Sequence, residues 1–239
     1  MSKQSIHIVH LYPKEMNIYG DTGNRIILQK RLEWRGIGTK VSFVGIGDAF
    51  PEDVDVIIAG GGQDAGQIAI QNDLAEKKDQ LNKLAENGVV MLVVCGMYQL
   101  FGRHFITSEG EVINGIGFLP LETKASDTRL IGNTVYDTPW GHVVGYENHS
   151  GLTTLDDPSL AFGQVIKGDG NNGHDGLEGC VVNNVFGTYS HGPVLSKNPQ
   201  FADELLKRAM KRKYDDDTLQ HLPDTLENQA ADIAAKRPR

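Results

Sequence analysis

The sequence predicts an α/β fold in which a mostly parallel sheet carries helices on both faces. Apolar segments of strand length alternate with helical patterns over the first part of the chain. Two of these segments, residues 54–59 and 89–94, are almost continuously apolar, as expected for strands that are buried on both faces. Strands joined through helices form βαβ units, in which the strands pair in parallel.

The elements of this sheet follow one another in a regular order. Strands are predicted for four apolar segments, at residues 6–11, 40–44, 54–59 and 89–94. Helices are predicted between and after them, at residues 25–35, 66–86 and from 97 to 101. Apolar residues in these helical segments recur at intervals of three and four, which is typical of a helix that packs on a sheet. Gly36 and Gly88 are typical helix stops.

The pattern changes in the middle of the chain. Residues 105–189 are rich in Gly, Asn and Thr and hold short extended segments such as 143–146 and 180–182. We predict a mixed, partly antiparallel β extension there. A helix is predicted to follow at residues 198–211, where apolar residues recur every four positions.

The chain is predicted to consist of one domain, residues 1–213, and a charged, partly amphipathic C-terminal tail, residues 214–239. Apolar residues of the tail recur at intervals of three and four, at Leu222, Leu226, Ala230 and Ile233. Pro223 is compatible with the first turn of a helix. Two interpretations stay open: a frayed or self-packed segment, or a helix that docks a partner.

Composition excludes several classes of function. The 239 residues include 23 basic and 31 acidic ones, giving a net charge of −8, which argues against non-specific binding to nucleic acid or anionic membranes. No apolar run approaches the length of a membrane span, and the first residues lack the pattern of a signal peptide. The two cysteines, Cys95 and Cys180, indicate thiols in a reducing compartment, so a cytoplasmic location is expected.

Cys95 is the strongest candidate for chemistry. It stands at the end of the apolar segment 89–94 and is followed at once by Gly96 and a helical pattern. A strand, a nucleophile and a helix in this order form a nucleophile elbow, which exposes the side chain at the carboxyl end of the sheet. The helix N-terminus stabilises a thiolate. A buried structural cysteine is the alternative.

Two further features fit acyl transfer. The glycine run 60–62 follows a predicted strand and can aim backbone N–H groups, such as that of Gly62, at an oxyanion, although a flexible turn is the alternative. His191 follows an extended segment and lies next to Gly192, where it can protrude into a cleft as a base, or be an ordinary loop histidine. His149 is the second candidate for the base. The histidines and cysteines lack the spacing of a metal site, so no metal is predicted.

Four blocks carry a family resemblance. They are Gly60-Gly61-Gly62, Cys95-Gly96-Met97-Tyr98-Gln99-Leu100-Phe101-Gly102, Tyr146-Glu147-Asn148-His149-Ser150-Gly151 and Gly187-Thr188-Tyr189-Ser190-His191-Gly192. Over about residues 5–212, the chain resembles the class I glutamine amidotransferase domain in its cobyric-acid-synthase-like branch. The resemblance implies that family's fold, a flavodoxin-like, mostly parallel sheet with a mixed antiparallel extension.

The resemblance also implies roles. Cys95 is expected to attack the side-chain amide of glutamine, and His191 to act as base and then as acid. The N–H groups of Gly62 and Gly96 are expected to hold the oxyanion, and Arg129 to bind glutamine through its carboxylate.

One position departs from the family pattern. Many class I glutaminases carry Glu two residues after the catalytic histidine, where this chain has Pro193. Three alternatives stay open: a distant acid such as Asp21 or Glu147 replaces it, a partner supplies one, or a Cys–His dyad suffices.

A narrower resemblance concerns partners. The block Tyr19-Gly20-Asp21-Thr22-Gly23-Asn24, in a domain without a fused synthetase, is similar to glutaminases of peptidoglycan synthesis. It implies a hetero-oligomer with a Mur-ligase-like synthetase subunit, which binds ATP and magnesium and uses the ammonia to amidate the D-glutamate of the lipid II stem peptide. No cofactor is expected in this chain itself.

Three alternatives stay open at this point. The ammonia can serve another acceptor, such as a corrinoid precursor of the cobyric-acid type. The chain can be a non-catalytic partner domain. It can also be a cysteine peptidase on a similar fold, which would cleave peptides and ignore free glutamine.

Overall fold

A computed structural model describes residues 4–238 of the chain. Within that range it contains twelve β-strands and five α-helices. The strands are β1 (Ser5–Leu11), β2 (Gly38–Val44), β3 (Val56–Ala59), β4 (Val90–Val94), β5 (His104–Ile106), β6 (Val112–Asn114), β7 (Leu121–Thr138), β8 (Gly141–Leu155), β9 (Gly163–Lys167), β10 (Leu177–Glu178), β11 (Cys180–Val182) and β12 (Val185–Thr188). The helices are α1 (Thr22–Trp34), α2 (Asp64–Glu86), α3 (Gly96–Phe101), α4 (Pro199–Tyr214) and α5 (Thr225–Lys236). No helix in the described range is long and apolar enough to cross a membrane.

The first sheet confirms the predicted α/β fold. Its six strands lie in the order β11-β12-β4-β3-β1-β2, and every neighbouring pair is parallel except β11 with β12. Every residue of β3, β4 and β12 is buried. Their nearly continuous apolar sequence follows from this burial, because side chains on both faces of these strands contact protein.

The second sheet is the predicted mixed extension. Its strands lie in the order β10-β9-β7-β5-β6, and β8 pairs with β7 in a long antiparallel hairpin. The extended segment predicted at residues 143–146 is part of β8, which is much longer. Residues 180–182 were expected in this extension, but β11 instead lies at the edge of the first sheet. A tight turn through Asn183, whose φ is +55°, folds it back onto β12.

Helix boundaries differ from the prediction where tertiary contacts override local propensity. Helix α1 begins at Thr22 rather than at Arg25, although Gly and Asn in its first turn disfavour a helix. Asn24 is buried there, and its side-chain oxygen accepts a hydrogen bond from the N–H of Leu195 at 3.0 Å. The Asn17 side chain accepts one from the N–H of Thr22 at 2.8 Å. These contacts hold the helix N-terminus against the rest of the domain.

The C-terminal segment forms α5, which lies against the β7–β8 hairpin. Its buried residue is Ala234, which packs with Val135 and Val144. Leu226 and Ile233, which were expected on an apolar helix face, are 76% and 60% exposed. The helix therefore contacts its own domain through small alanine side chains rather than through its large apolar ones.

Pro223, expected within the first turn of this helix, precedes it. The helix begins at Thr225, and the segment before it is held by Asp224. The carboxylate of Asp224 accepts a hydrogen bond from the guanidinium of Arg31 at 2.7 Å. This contact fixes the chain directly before the helix. Pro223 therefore belongs to the connection between α4 and α5 and not to the first turn of α5.

Arg31 joins three parts of the chain. It is 1% exposed and also donates hydrogen bonds to Asp203 on α4, at 2.7 and 2.8 Å. Arg35, the residue directly after α1, donates to Asp203 at 2.6 Å. A buried guanidinium requires such partners, because leaving it unpaired costs several kcal/mol. Helix α1, helix α4 and the start of α5 are thus held at one point.

Replacing Arg31 by Met should lower the free energy of unfolding by about 3 kcal/mol, because Asp224 loses its partner and Asp203 keeps a single one. Urea unfolding followed by circular dichroism measures this change. Lys30→Met is the matched control, since Lys30 pairs with Glu33 on the exposed side of the same helix. That variant should cost at most about 0.5 kcal/mol. Equal losses in both variants would contradict a structural role for Arg31.

Candidate active site

Cys95 lies at the turn between β4 and α3. Its backbone has φ +52° and ψ −110°, an unfavourable conformation for a residue with a side chain. Its N–H donates a hydrogen bond to the carbonyl of Thr188 at 2.9 Å, which ties the turn to the neighbouring strand β12. The side chain is nearly buried, with 5% of the residue exposed. This geometry is that of a nucleophile elbow, with a helix N-terminus immediately behind the sulfur.

His191 is brought to Cys95 by the pairing of β12 with β4. It follows the end of β12, and its N–H donates to the carbonyl of Tyr146 at 2.8 Å. Gly61 lies between the two side chains. A Cβ atom on Gly61 would come within 2.8 Å of Cε1 of His191 and 3.1 Å of Cβ of Cys95. The close approach of the cysteine and the histidine therefore requires glycine at this position.

Asp21 is the acid that the structure brings next to the histidine. Its Oδ2 lies 3.7 Å from Nδ1 of His191, and the residue is fully buried. The same oxygen accepts a hydrogen bond from the N–H of Gly61 at 2.8 Å. The separation from the imidazole is too long for a hydrogen bond, but it is short enough for strong electrostatic interaction in a buried site.

Glu147, the other acid considered from the sequence, is engaged elsewhere. Its carboxylate accepts hydrogen bonds from the N–H groups of Asp169 and Gly170 at 2.8 and 2.9 Å. Pro193 packs against the first turn of α1, where a Cβ on Gly23 would come within 2.1 Å of its ring. The geometry thus favours Asp21 over Glu147 as the companion of His191.

The charge of His191 is set by its two neighbours. Burial by itself favours the neutral imidazole, but the interactions with Cys95 and Asp21 outweigh it and raise the pKa of His191 to about 10. A raised pKa keeps the imidazolium at neutral pH, which is the partner that a thiolate at Cys95 requires. In the described residues, neither ring nitrogen of His191 makes a hydrogen bond.

Backbone donors lie beside the sulfur. The N–H of Gly61 is occupied by Asp21, whereas those of Gly62 and Gly96 have no acceptor within the part of the chain that the structure describes. The two residues are in contact, since a Cβ on Gly96 would come within 3.1 Å of the nitrogen of Gly62. Free N–H groups of this kind can stabilise an oxyanion.

A cavity of about 260 Å³ opens next to Cys95, and Arg129 lies on its rim. Arg129 lies within an irregular part of β7, where the pairing with β8 shifts register between Ala125 and Leu130, and it is exposed. Its Nε donates to the side-chain oxygen of Asn148 at 2.6 Å, and its Nη2 donates to the hydroxyl of Tyr19 at 3.2 Å. The structure therefore brings Cys95, His191 and Arg129, three of the five residues predicted for this site, into one region with Gly62 and Gly96.

His149 forms part of the cavity wall. Its ring stacks on Tyr189 with centroids 3.5 Å apart, and its Nδ1 lies 2.8 Å from the carbonyl of Gly151. Burial lowers the pKa of His149 to about 4, so this imidazole is neutral. Among residues 4–238, the charged neighbours that shift this pKa are His191 and Arg129, and no acid plays the part that Asp21 plays beside His191.

Sequence reasoning missed several residues of the site. Tyr19 and Asn148, which hold Arg129, belong to the sequence segments that carry the family resemblance, but the sequence alone indicates no role for either. Gln67 and Gln99 also lie on the cavity, and Gln67 donates to the carbonyl of Gly96 at 3.1 Å. The neighbouring residues of a glutamine on an amphipathic helix do not indicate whether its side chain faces water or a distant part of the chain, so this contact could not be predicted. Among the residues described, no group of His, Cys, Asp or Glu is arranged to hold a metal ion.

Comparison with known proteins identifies the class of enzyme. A family model for the CobB/CobQ-like glutamine amidotransferase domain matches residues 7–199. The chain belongs to this family and is a glutamine amidotransferase.

Two curated relatives are more specific. The chain is 38% identical over 219 residues to the lipid II isoglutaminyl synthase (glutamine-hydrolyzing) subunit GatD of Streptococcus pneumoniae strain R6. This alignment covers 89% of this chain and 83% of that protein. It is also 38% identical over 210 residues to the subunit of the same name from Staphylococcus aureus strain N315, covering 86% and 85%. A probable cobyric acid synthase of Methanocella arvoryzae is 29% identical over 192 residues, covering 73% of this chain and 36% of that one.

Solved structures support the fold. A glutamine amidotransferase crystal structure superposes with a TM-score of 0.59 at 15% identity, covering 84% of this chain and 98% of that one. A glutamine amidotransferase from Thermotoga maritima gives a TM-score of 0.53 at 11% identity, covering 96% and 93%. At these identities the likeness concerns the fold alone.

Replacing Gly61 by Ala should reduce glutamine hydrolysis by about 10²-fold, because the added Cβ displaces His191 from Cys95. Glutamate release at fixed glutamine measures the effect, and circular dichroism verifies the fold. Gly45→Ala is the control, since its Cβ would meet one carboxylate oxygen of Asp48 at 3.4 Å and Gly45 is not among the residues that line the cavity. Full activity of the Gly61→Ala variant would contradict the geometry described here.

Proposed function

We propose that this chain is a glutaminase subunit that hydrolyses L-glutamine to glutamate and ammonia. The observation that carries the proposal is the meeting of Cys95, His191 and Asp21 beside one cavity that has Arg129 on its rim. A nucleophile, a base and an acid in this order can perform acyl transfer, and a guanidinium can hold the carboxylate of the substrate.

Cys95 is the nucleophile of the proposed reaction. Its thiolate attacks the side-chain carboxamide carbon of glutamine, and the oxygen that becomes negative accepts hydrogen bonds from the N–H groups of Gly62 and Gly96. His191, as imidazolium, donates a proton to the leaving nitrogen, and ammonia departs. A thioester between Cys95 and the glutamyl group remains.

Water completes the cycle. His191, neutral after it has donated its proton, accepts a proton from the water that attacks the thioester carbon. Glutamate leaves and the thiolate–imidazolium pair is restored. Asp21 stabilises the imidazolium by its negative charge, which is one of the two tasks of the acid in a catalytic triad.

Arg129 binds the α-carboxylate of glutamine in this proposal. Two of its N–H groups are directed to Asn148 and Tyr19, which fixes the plane of the guanidinium. The remaining N–H groups can donate to a carboxylate, and such a charge-assisted bond contributes about 1.5–3 kcal/mol to binding.

The proposed recipient of the ammonia is a Mur-ligase-like, ATP-dependent synthetase subunit, which amidates the D-glutamate of the lipid II stem peptide. Support comes from the two relatives named as lipid II isoglutaminyl synthase subunits, because each alignment covers more than four fifths of both chains. ATP and magnesium are assigned to the synthetase, and the chain itself is proposed to work without a cofactor in the cytoplasm.

A second candidate recipient is a corrinoid precursor. The family and several relatives named as probable cobyric acid synthases favour it, but the chain covers about a third of those proteins. Co-purification of the native partner distinguishes the two: a Mur-ligase-like chain supports the first acceptor, and a corrinoid-binding synthetase supports the second.

Cys95→Ser should abolish glutamate release and leave the fold intact, because a hydroxyl at this position stays protonated. Cys180→Ser should retain full activity. Cys180 is fully buried, and burial raises the pKa of its thiol to about 12, so a glutamine-derived electrophile should label Cys95 alone. Mass spectrometry of the labelled chain identifies the site. Labelling of Cys180 with Cys95 unmodified would overturn the assignment.

Addition of the synthetase should raise the rate of glutamine hydrolysis at least severalfold. The physical reason is the 3.7 Å between Asp21 and His191, which leaves the ring without a hydrogen bond in the isolated chain. Docking can shorten this distance or supply another acid. The measurement is glutamate released at fixed glutamine by the free and the saturated subunit. Equal rates would exclude activation, and Cys95→Ser with synthetase is the blank.

A further inference from the structure

Tyr19 contacts both the proposed base and the proposed substrate-binding residue. Its ring lies against the ring of His191, with centroids 4.3 Å apart and planes inclined by 49°. Its hydroxyl accepts a hydrogen bond from Nη2 of Arg129 at 3.2 Å. The residue is half-buried and borders the cavity next to Cys95. One side chain therefore bridges two groups that act at opposite ends of the substrate.

The loop that carries Tyr19 is held on both sides. The N–H of Ile18 donates to the carbonyl of Gly61 at 3.1 Å, which connects the loop to the glycine run beside Cys95. The Asn17 side chain accepts from the N–H of Thr22, at the start of α1. Because these bonds flank Tyr19, its ring and hydroxyl are positioned before any ligand binds.

We propose that Tyr19 is a positioning residue for glutamine hydrolysis, whose ring holds the imidazole of His191 and whose hydroxyl holds the guanidinium of Arg129. This inference rests on the proposed roles of His191 and Arg129. It assigns two separable tasks to one side chain, since the ring acts on the chemical step and the hydroxyl acts on substrate binding.

The ring contact favours the charged form of the base. An aromatic face attracts a cation placed over it, and the effect increases when the pair is shielded from water, as it is here because His191 is 1% exposed. The contact also leaves the imidazole fewer orientations. This matters because Asp21, at 3.7 Å, does not fix the ring by a hydrogen bond.

The hydroxyl of Tyr19 orients the guanidinium of Arg129, the residue proposed to bind the carboxylate of glutamine. Arg129 is exposed and would otherwise adopt many rotamers, at a cost in entropy when it binds a carboxylate. Asn148 holds Nε and Tyr19 holds Nη2, so the guanidinium plane is set by two points. Removing one of them weakens binding without altering the nucleophile.

Two variants of the full-length chain separate the tasks. Tyr19→Phe keeps the ring and should raise the KM for glutamine about tenfold to a hundredfold, the value of one lost hydrogen bond to a charged group, with kcat unchanged. Tyr19→Leu loses the ring as well and should also lower kcat about tenfold, because His191 is less well oriented.

A second readout needs no glutamine. The rate at which iodoacetamide alkylates Cys95, measured against pH in a Cys180→Ser background, reports thiolate formation. Its midpoint should move to higher pH in Tyr19→Leu, because the imidazolium loses the ring that stabilises it, and should stay unchanged in Tyr19→Phe. Tyr214→Phe is the control, since the Tyr214 hydroxyl bonds to the backbone of Ser5 far from the cavity. It should match wild type in every measurement.

Three results would overturn the proposal: an unchanged KM in Tyr19→Phe, equal kcat values in the Phe and Leu variants, or an unshifted alkylation profile in Tyr19→Leu. Failure of the proposed function is a different result, in which the wild-type chain with its native partner releases no glutamate. The alkylation profiles still test the ring contact in that case.

Discussion

The parallel pairing of β4 with β12 is the constraint on which the site depends. Val94 and Thr188 are paired at the ends of these strands, so the residues that follow them leave the sheet at the same edge. The N–H of Cys95 donates to the carbonyl of Thr188, and His191 follows three residues later. Burial of both strands makes slippage costly, because one residue of shift would reverse which side chains face each layer.

The crowding at this edge explains why glycine recurs there. A Cβ on Gly60 would come within 2.6 Å of Cβ of Asp21, and one on Gly96 would come within 2.9 Å of the carbonyl oxygen of Gly62. The missing side chains leave room for the acid, the nucleophile and the backbone donors to lie in one small volume. The glycine run is thus a packing requirement of the site as well as a source of donors.

Local signals predicted much of the fold and part of the site. The apolar strands and Cys95 could be recognised because burial on both faces and a strand–glycine–helix turn leave a pattern in neighbouring residues. The choice of Asp21 over Glu147 could not be made, since it depends on the contact between the first turn of α1 and a loop far along the chain. The edge position of β11 depends on a turn at Asn183, and the packed face of α5 depends on alanine side chains. Neither feature produces a periodic pattern of apolar residues that could be recognised in the sequence.

The two sheets contribute different residues to the cavity and the site beside it. The strands of the first sheet lead into Cys95 and His191, whereas Arg129 and Asn148 come from the β7–β8 hairpin of the second. The hairpin also holds His191, because the carbonyl of Tyr146 on β8 accepts a hydrogen bond from the N–H of that histidine. A displacement of the hairpin against the first sheet would therefore change the separation of Arg129 from Cys95 and the orientation of His191 at the same time.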